Sequence, residues 1–211
     1  IMRWLSDIGG DKTGGGWFDI YGTSPATYVE QARQTILGGA PEAFLFHYGE
    51  LIRCPGAKNI ERLMEEMNLL FVLAEAVVDA KPVGVLAPKI PNSSPGEEPY
   101  IYDFLGMLGI PLVPLSRIDL DYPSALFATQ SWQEDIFYTK FQEFLEEDKP
   151  VVLTGNLKDL MLKQGLHVPE SVKVIDIPEE PRELYEIDAK TLDGIRNQLL
   201  QPFGIEIQAP T

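Results

Sequence analysis

The sequence predicts an α/β protein with largely parallel strands. Short apolar runs rich in β-branched and aromatic residues alternate with segments of helical period along all 211 residues. The runs fall at 3–8, 42–48, 82–87, 110–115, 124–129, 150–154 and 172–177. Most are separated by a helical segment, the kind of crossover that two parallel neighbours require. With 45% hydrophobic and 23% charged residues, the chain can bury the core of one large domain or two small ones.

In chain order, Arg3-Trp4-Leu5-Ser6-Asp7-Ile8 reads as a strand. Opening so abruptly inside a strand, the chain is expected to be a portion of a longer polypeptide. A glycine-rich stretch, Gly9 to Gly16, follows, and no helix is expected before about residue 25. Val29, Ala32, Ile36 and Leu37 then share one helical face, stopped by Gly38-Gly39. After the strand at 42–48, Ile60, Leu63, Met64, Met67, Leu70, Phe71, Ala74 and Val78 define a long helix with Asn59 as its expected cap. Further helical faces are Ile101/Phe104/Leu105/Leu108, closed by Gly109; Ile136/Phe137/Phe141/Phe144/Leu145; and Leu192/Ile195/Leu199 before Pro202. A seam is expected near 78–82, giving segments 1–77 and 78–211. The first carries six Lys+Arg against ten Asp+Glu and the second eleven against twenty-two. Two βα units cannot cover both faces of their own sheet, so 1–77 needs other elements to pack against.

Charge and composition exclude several function classes. A net charge of -15, from 17 Lys+Arg against 32 Asp+Glu, argues against nucleic acid and against anionic lipid as partners. No apolar run approaches the roughly 18–20 residues of a membrane span. The composition reads as soluble, and a cytoplasmic setting is expected over a secreted one. One cysteine, Cys54, forms no internal disulfide, and two histidines make a metal centre unexpected. No metal site and no cofactor are expected.

The candidate site lies in the first segment. Gly9-Gly10-Asp11-Lys12-Thr13-Gly14-Gly15-Gly16 is not a P-loop, because its Lys precedes the glycines and opens no helix. It reads either as a mobile loop at a strand end, with Trp17 as a stacking platform, or as a surface loop anchored by Trp17 and Phe18. Phe46-His47-Tyr48-Gly49-Glu50 closes the second expected strand, and α/β enzymes place their chemistry at carboxyl strand ends. Asp7, at the matching end of the first, is expected to face Glu50. Two carboxylates flanking a sugar bond are the working parts of a glycosidase. The plainer reading is that these groups cap helices or pair with Arg3 and Arg53. Cys54, with His47 or His167 as base, is a further nucleophile candidate, set in a loop without a strand–elbow–helix context.

Two stretches carry a resemblance. Trp4 to Gly10, Trp17, Tyr28 to Ala40 and Phe44 to Gly49 together look like the last βα units of a glycosidase TIM barrel. They resemble the β-galactosidases of glycoside hydrolase family 42. Tyr100 to Pro114 resembles the flavodoxin-like, class-I glutamine-amidotransferase-like domain that follows the barrel there, a non-catalytic domain that mediates trimer formation. The resemblance implies a carbohydrate substrate and a homo-oligomer, a trimer as in that family. It implies a sugar site lined by Asp7, Asp11, Trp17, His47 and Glu50, with Asp7 and Glu50 as the catalytic carboxylates.

The sequence also departs from that family. The family's nucleophile is a Glu before Pro-Gly, whereas Ser6 or Asp7 stands at the matching position, followed by Gly9-Gly10. The family's acid comes from strand four, and an eight-stranded barrel takes about 250 residues. Hydrolysis is therefore expected only as part of a longer chain. Amidotransferase chemistry is excluded because 78–211 holds no cysteine, leaving Ser131 at the expected elbow. The alternative to a glycosidase is a self-contained binding or assembly module, with the row Phe137, Phe141 and Phe144 as its oligomer contact.

Overall fold

The computed structural model describes residues 2–53, 56–132, 137–175 and 189–204. The chain divides into two compact units, Ile1–Pro82 and Val83–Thr211. Both are α/β, and among the described residues every strand pair is parallel.

The first unit begins with helix α1 (Met2–Gly9) and a 3-10 turn at Gly10–Lys12, then strand β1 (Gly16–Phe18). The strand expected at 3–8 is thus a helix. Met2, Leu5 and Ile8 recur at a spacing of three, and so short a run fits either period. Tertiary bonds hold the helical form: Arg3 Nη2 donates to Leu37 O at 2.7 Å and Thr13 Oγ1 to Leu5 O at 3.1 Å. The glycine-rich stretch consequently leads into β1 and does not hang from a strand's carboxyl end. Its glycines serve a close approach: a Cβ on Gly15 would run into the Phe44 ring and the Glu42 carbonyl.

Helix α2 (Pro25–Leu37) starts at Ser24, whose hydroxyl accepts from Thr27 N at 3.2 Å, with Pro25 in the first turn. It ends at Gly38, and Gly39 adopts φ 77°. Strand β2 (Ala43–Leu45) pairs with β1 in register Trp17↔Phe44. A one-turn helix α3 (Tyr48–Leu51) and the long helix α4 (Ala57–Val77) complete the unit. Gly56, not Asn59, precedes α4; Asn59 is buried inside the helix and Nδ2 donates to Thr23 O at 3.4 Å. Phe18, Tyr28, Val29, Ala32, Leu51, Leu63 and Leu70 form the core. Glu66 of α4 receives Arg33 of α2 at 2.9 Å and Arg62 at 2.6 Å, tying the two helices together. All three residues of β2 are exposed.

The second unit contains β3 (Val85–Pro88), α5 (Ile101–Met107), β4 (Leu112–Leu115), β5 (Ala125–Phe127), α6 (Phe137–Glu146), β6 (Val151–Thr154), α7 (Gly155–Lys163), β7 (Lys173–Ile175) and α8 (Ala189–Leu200). Its sheet runs β4-β3-β5-β6-β7. With the strands counted from β3, that is the flavodoxin-like order 2-1-3-4-5. Strands covered on both faces read as continuous apolar runs, and β3, β5 and β6 are buried throughout. Alternate residues face opposite layers. Leu126 and Val152 pack with α5 and α8 residues such as Leu105 and Leu199, while Phe127 and Leu153 pack with Phe141 and Phe144 of α6 and Leu157 of α7. The row Phe137, Phe141 and Phe144 is therefore core and no oligomer contact. Phe127 sits edge-on to Phe137 and Phe144 at centroid distances of 5.4 and 5.7 Å. Helix α7 was not expected from the sequence, because its apolar residues Leu157, Leu160 and Met161 follow β6 without a break. Residues 176–177 of the last expected strand, and Ile136, lie outside the described residues. Among the described residues, no helix is long and apolar enough to cross a membrane.

Candidate functional site

The carboxyl ends of β1 and β2 bring a group of aromatic side chains together. Strand pleating turns Phe18 into the core and leaves Trp17 61% exposed. Trp17 lies 4.9 Å from the Phe46 ring, and Phe46 in turn lies 6.2 Å from Tyr21 and 5.9 Å from His47. Tyr21 Oη is 2.9 Å from His47 Nδ1, so one imidazole nitrogen of this exposed residue is engaged. His47 holds φ 59°, ψ 61°, a left-handed conformation costly for a residue with a Cβ. It is fixed there by the turn into α3, whose Glu50 N donates to His47 O at 2.9 Å.

A cavity of about 460 Å³ adjoins this group, lined by Ile20, Tyr21, Thr23, Glu50, Lys58 and Asn59 among others. Tyr21 belongs to both, with its hydroxyl on His47 and its side chain on the cavity. The volume falls in the range that admits a small polar molecule. Glu50 and Lys58 are the charged residues of its wall. Among the described residues, no cluster of three metal-ligating side chains occurs.

The five residues singled out in the sequence separate into two sets. Trp17 and His47 stand in the aromatic group, with Glu50 on the wall of the adjoining cavity. Asp7 lies on helix α1, and Asp11 in the 3-10 turn; both precede the amino end of β1. The pairing of Asp7 with Glu50 across two strand ends therefore loses its structural premise, since residues 3–8 form no strand. Asp19 occupies the position that Asp7 was expected to hold, directly after β1. Its Oδ1 accepts from Tyr21 N at 3.0 Å, while Gln31 of α2 bonds both its backbone N and O, at 2.9 and 3.1 Å. Asp19 and Tyr21 are the residues that sequence reasoning missed. The signal was Gly-Trp-Phe-Asp-Ile-Tyr, a β-prone run obscured by the glycines before it. Cys54 lies outside the described residues. In the second unit Ser131 is fully buried, with Oγ donating to Pro88 O at 3.0 Å and no histidine bonded to it, so it lacks a base for nucleophilic attack.

Residues 1–83 match a family model described as "Probable glycosyl hydrolase, catalytic domain". The first unit is glycosyl-hydrolase-like. The matched segment spans the whole of Ile1–Pro82, and with it the aromatic group, the cavity and both strand-end carboxylates. No curated protein and no solved structure matches the chain.

Proposed function

We propose that this chain is the carboxyl-terminal portion of a glycoside hydrolase acting on carbohydrate, its first unit forming the closing βα units of the catalytic barrel. The observation that carries this reading is that Tyr21 joins the aromatic group of Trp17, Phe46 and His47 to a cavity lined by Glu50, inside the segment similar to a glycosyl hydrolase catalytic domain. Sugar rings present apolar C–H faces and a rim of hydroxyls. An exposed indole takes the face, and a carboxylate and an imidazole nitrogen take the hydroxyls. Glu50 and Asp19 are the carboxylates that follow the two strands, and they take the binding and proton-transfer roles first assigned to Asp7 and Glu50. Asp11 stands ahead of β1, at the end of that strand opposite these carboxylates.

The exposed apolar side chains of the unit support the same reading. Phe44 and Leu45 on β2, and Met64, Leu69, Phe71 and Val72 on α4, are between 42% and 64% exposed. A two-stranded parallel sheet with one bare strand calls for further strands and helices against it. We assign the finer resemblance, to the β-galactosidases of family 42 with an amidotransferase-like trimerisation domain, to the same proposal. The flavodoxin-like strand order of the second unit supports it.

The test is a fluorescence titration of the chain with galactose and with β-linked galacto-oligosaccharides. Saturable quenching is expected, weakened about tenfold or more by Trp17→Ala. Quenching that is absent, or unchanged in Trp17→Ala, would overturn the carbohydrate reading. A Glu50→Gln variant that hydrolyses as fast as the unaltered sequence, in the longest natural form of the protein, would remove Glu50 from the mechanism.

A further inference from the structure

We propose that the second unit carries its own binding site for a small polyhydroxylated molecule, at the carboxyl ends of β3 and β5 and independent of the carbohydrate site in the first unit. In a sheet of order 2-1-3-4-5 the chain leaves β3 and β5 in opposite directions, opening a crevice at the carboxyl edge where doubly wound proteins bind ligands. Topology thus names one place on this unit before any side chain is considered.

The side chains mark the same place. Seven buried side-chain polar atoms have no hydrogen-bond partner among the described residues. Five of them belong to Ser93, Glu98, Thr129, Gln130 and Thr154, which stand on the segments that leave β3, β5 and β6. Folded proteins satisfy nearly all such groups, so five at one edge of one sheet indicate partners from outside the chain. Glu98 is the centre. It is wholly buried; Oε2 accepts from Thr129 N at 2.8 Å, and Oε1 accepts nothing. Leaving one oxygen of a buried carboxylate bare is costly. Thr154 stands at the N-cap of α7 yet makes no capping bond, although capping is the ordinary use of a threonine there.

The backbone adds a separate sign. Of the four non-glycine residues at positive φ among the described residues, Asn92 at 64° and Tyr100 at 62° both lie on the loop from β3 to α5 that carries Ser93 and Glu98. Strain of this kind gathers at binding sites, where the surrounding structure holds it in place. At the carboxyl end of β3, Tyr102 Oη and Ser131 Oγ both donate to Pro88 O, at 2.7 and 3.0 Å, and tie α5 and the turn after β5 to that strand end.

The chemistry of the open atoms selects the ligand. Glu98 Oε1 and Gln130 Oε1 are acceptors that need donors, and the three hydroxyls can donate or accept. A phosphate or carboxylate would meet the Glu98 charge in a segment with twice as many acidic as basic residues. A polyol supplies O–H donors to the acceptors and oxygens to the hydroxyls without adding charge.

Amide hydrogen exchange on the full chain, with glycerol, myo-inositol and glucose as probes, tests the proposal. At least one probe is expected to slow exchange over residues 89–100 and 128–132 about tenfold or more at saturation. Glu98→Gln, which keeps the Thr129 acceptor and the side-chain shape, should remove most of that protection. Gln130→Ala should weaken it if Glu98→Gln does not fold. Protection by none of the three probes, or protection undiminished in both variants, would overturn the proposal. Protection confined to residues 16–25 and 46–59 would also overturn it, while supporting the carbohydrate site of the first unit.

Discussion

His47 and Tyr102 show how single residues acquire properties that their types alone do not fix. His47 combines an imidazole hydrogen-bonded to Tyr21 with a left-handed backbone at φ 59°. Asparagine tolerates that backbone but cannot reproduce the ring. His47→Asn is therefore expected to leave the urea midpoint nearly unchanged, with an effect of about 0.5 kcal/mol or less, while sugar affinity falls. A large loss of stability instead would mark His47 as structural. For Tyr102, burial above all holds the hydroxyl protonated well above its ordinary range; the bond to Ser131 opposes this shift and the Glu98 charge adds to it. With the folded pKa raised, the stabilisation is complete below the unfolded tyrosine value of about 10 and is lost as pH rises from there through the folded value. Thermal melts between neutral pH and pH 11 should show this loss, and Tyr102→Phe should make the profile shallower. The Tyr102 residue type and its helix were legible in the sequence. Its burial against Pro88 was not, because strand β3 and helix α5 meet only in the fold.

At the scale of elements, sequence reading succeeded where period and punctuation agreed. Helix α2 has Ser24 and Pro25 at its start and Gly38-Gly39 at its stop; six of the seven expected strand runs contain a strand, because short runs of apolar, β-branched or aromatic residues fill them. It failed at 3–8, where a short run suited both periods, and at Gly14-Gly15-Gly16, where glycines concealed β1. Those glycines answer to a backbone approach that no local pattern announces. Gly84 is a second such case, since a Cβ there would strike the Pro111 carbonyl at the entrance to β3. Gly84→Ala is expected to destabilise the second unit by about 1–3 kcal/mol, read from denaturant unfolding. In the same unit Phe141→Ala should cost about 3–5 kcal/mol, because α6 meets the sheet through Phe137, Phe141 and Phe144 on Phe127. A loss under 1 kcal/mol would mean that this row is not core. Glu66→Gln, which breaks the tie between α2 and α4, should cost less than about 1 kcal/mol, since Arg33 and Arg62 are 34% and 46% exposed. That cost should shrink further in high salt.

For the molecule as a whole, the two units differ in how completely they bury their apolar surface. The second closes two layers over a five-stranded sheet, whereas the first leaves β2 bare and much of one helix face exposed. Sedimentation of the chain is expected to show concentration-dependent association, and Phe44→Lys with Phe71→Lys should reduce it. A monomer at every concentration would mean that this surface stays bare without cost. By itself the sequence determined the α/β class, the parallel connectivity and the acidic character, because these follow from period, composition and charge. It also placed Trp17, His47 and Glu50 as site candidates from residue type and position near strand ends. Only the tertiary structure decided which residues assemble: it put Asp7 on a helix, brought Asp19 and Tyr21 to the end of β1, and set Glu98 of the loop beyond β3 against Thr129 beyond β5. Contacts between segments distant in the chain leave no periodic trace, so their geometry becomes readable only when strands are paired and helices are packed.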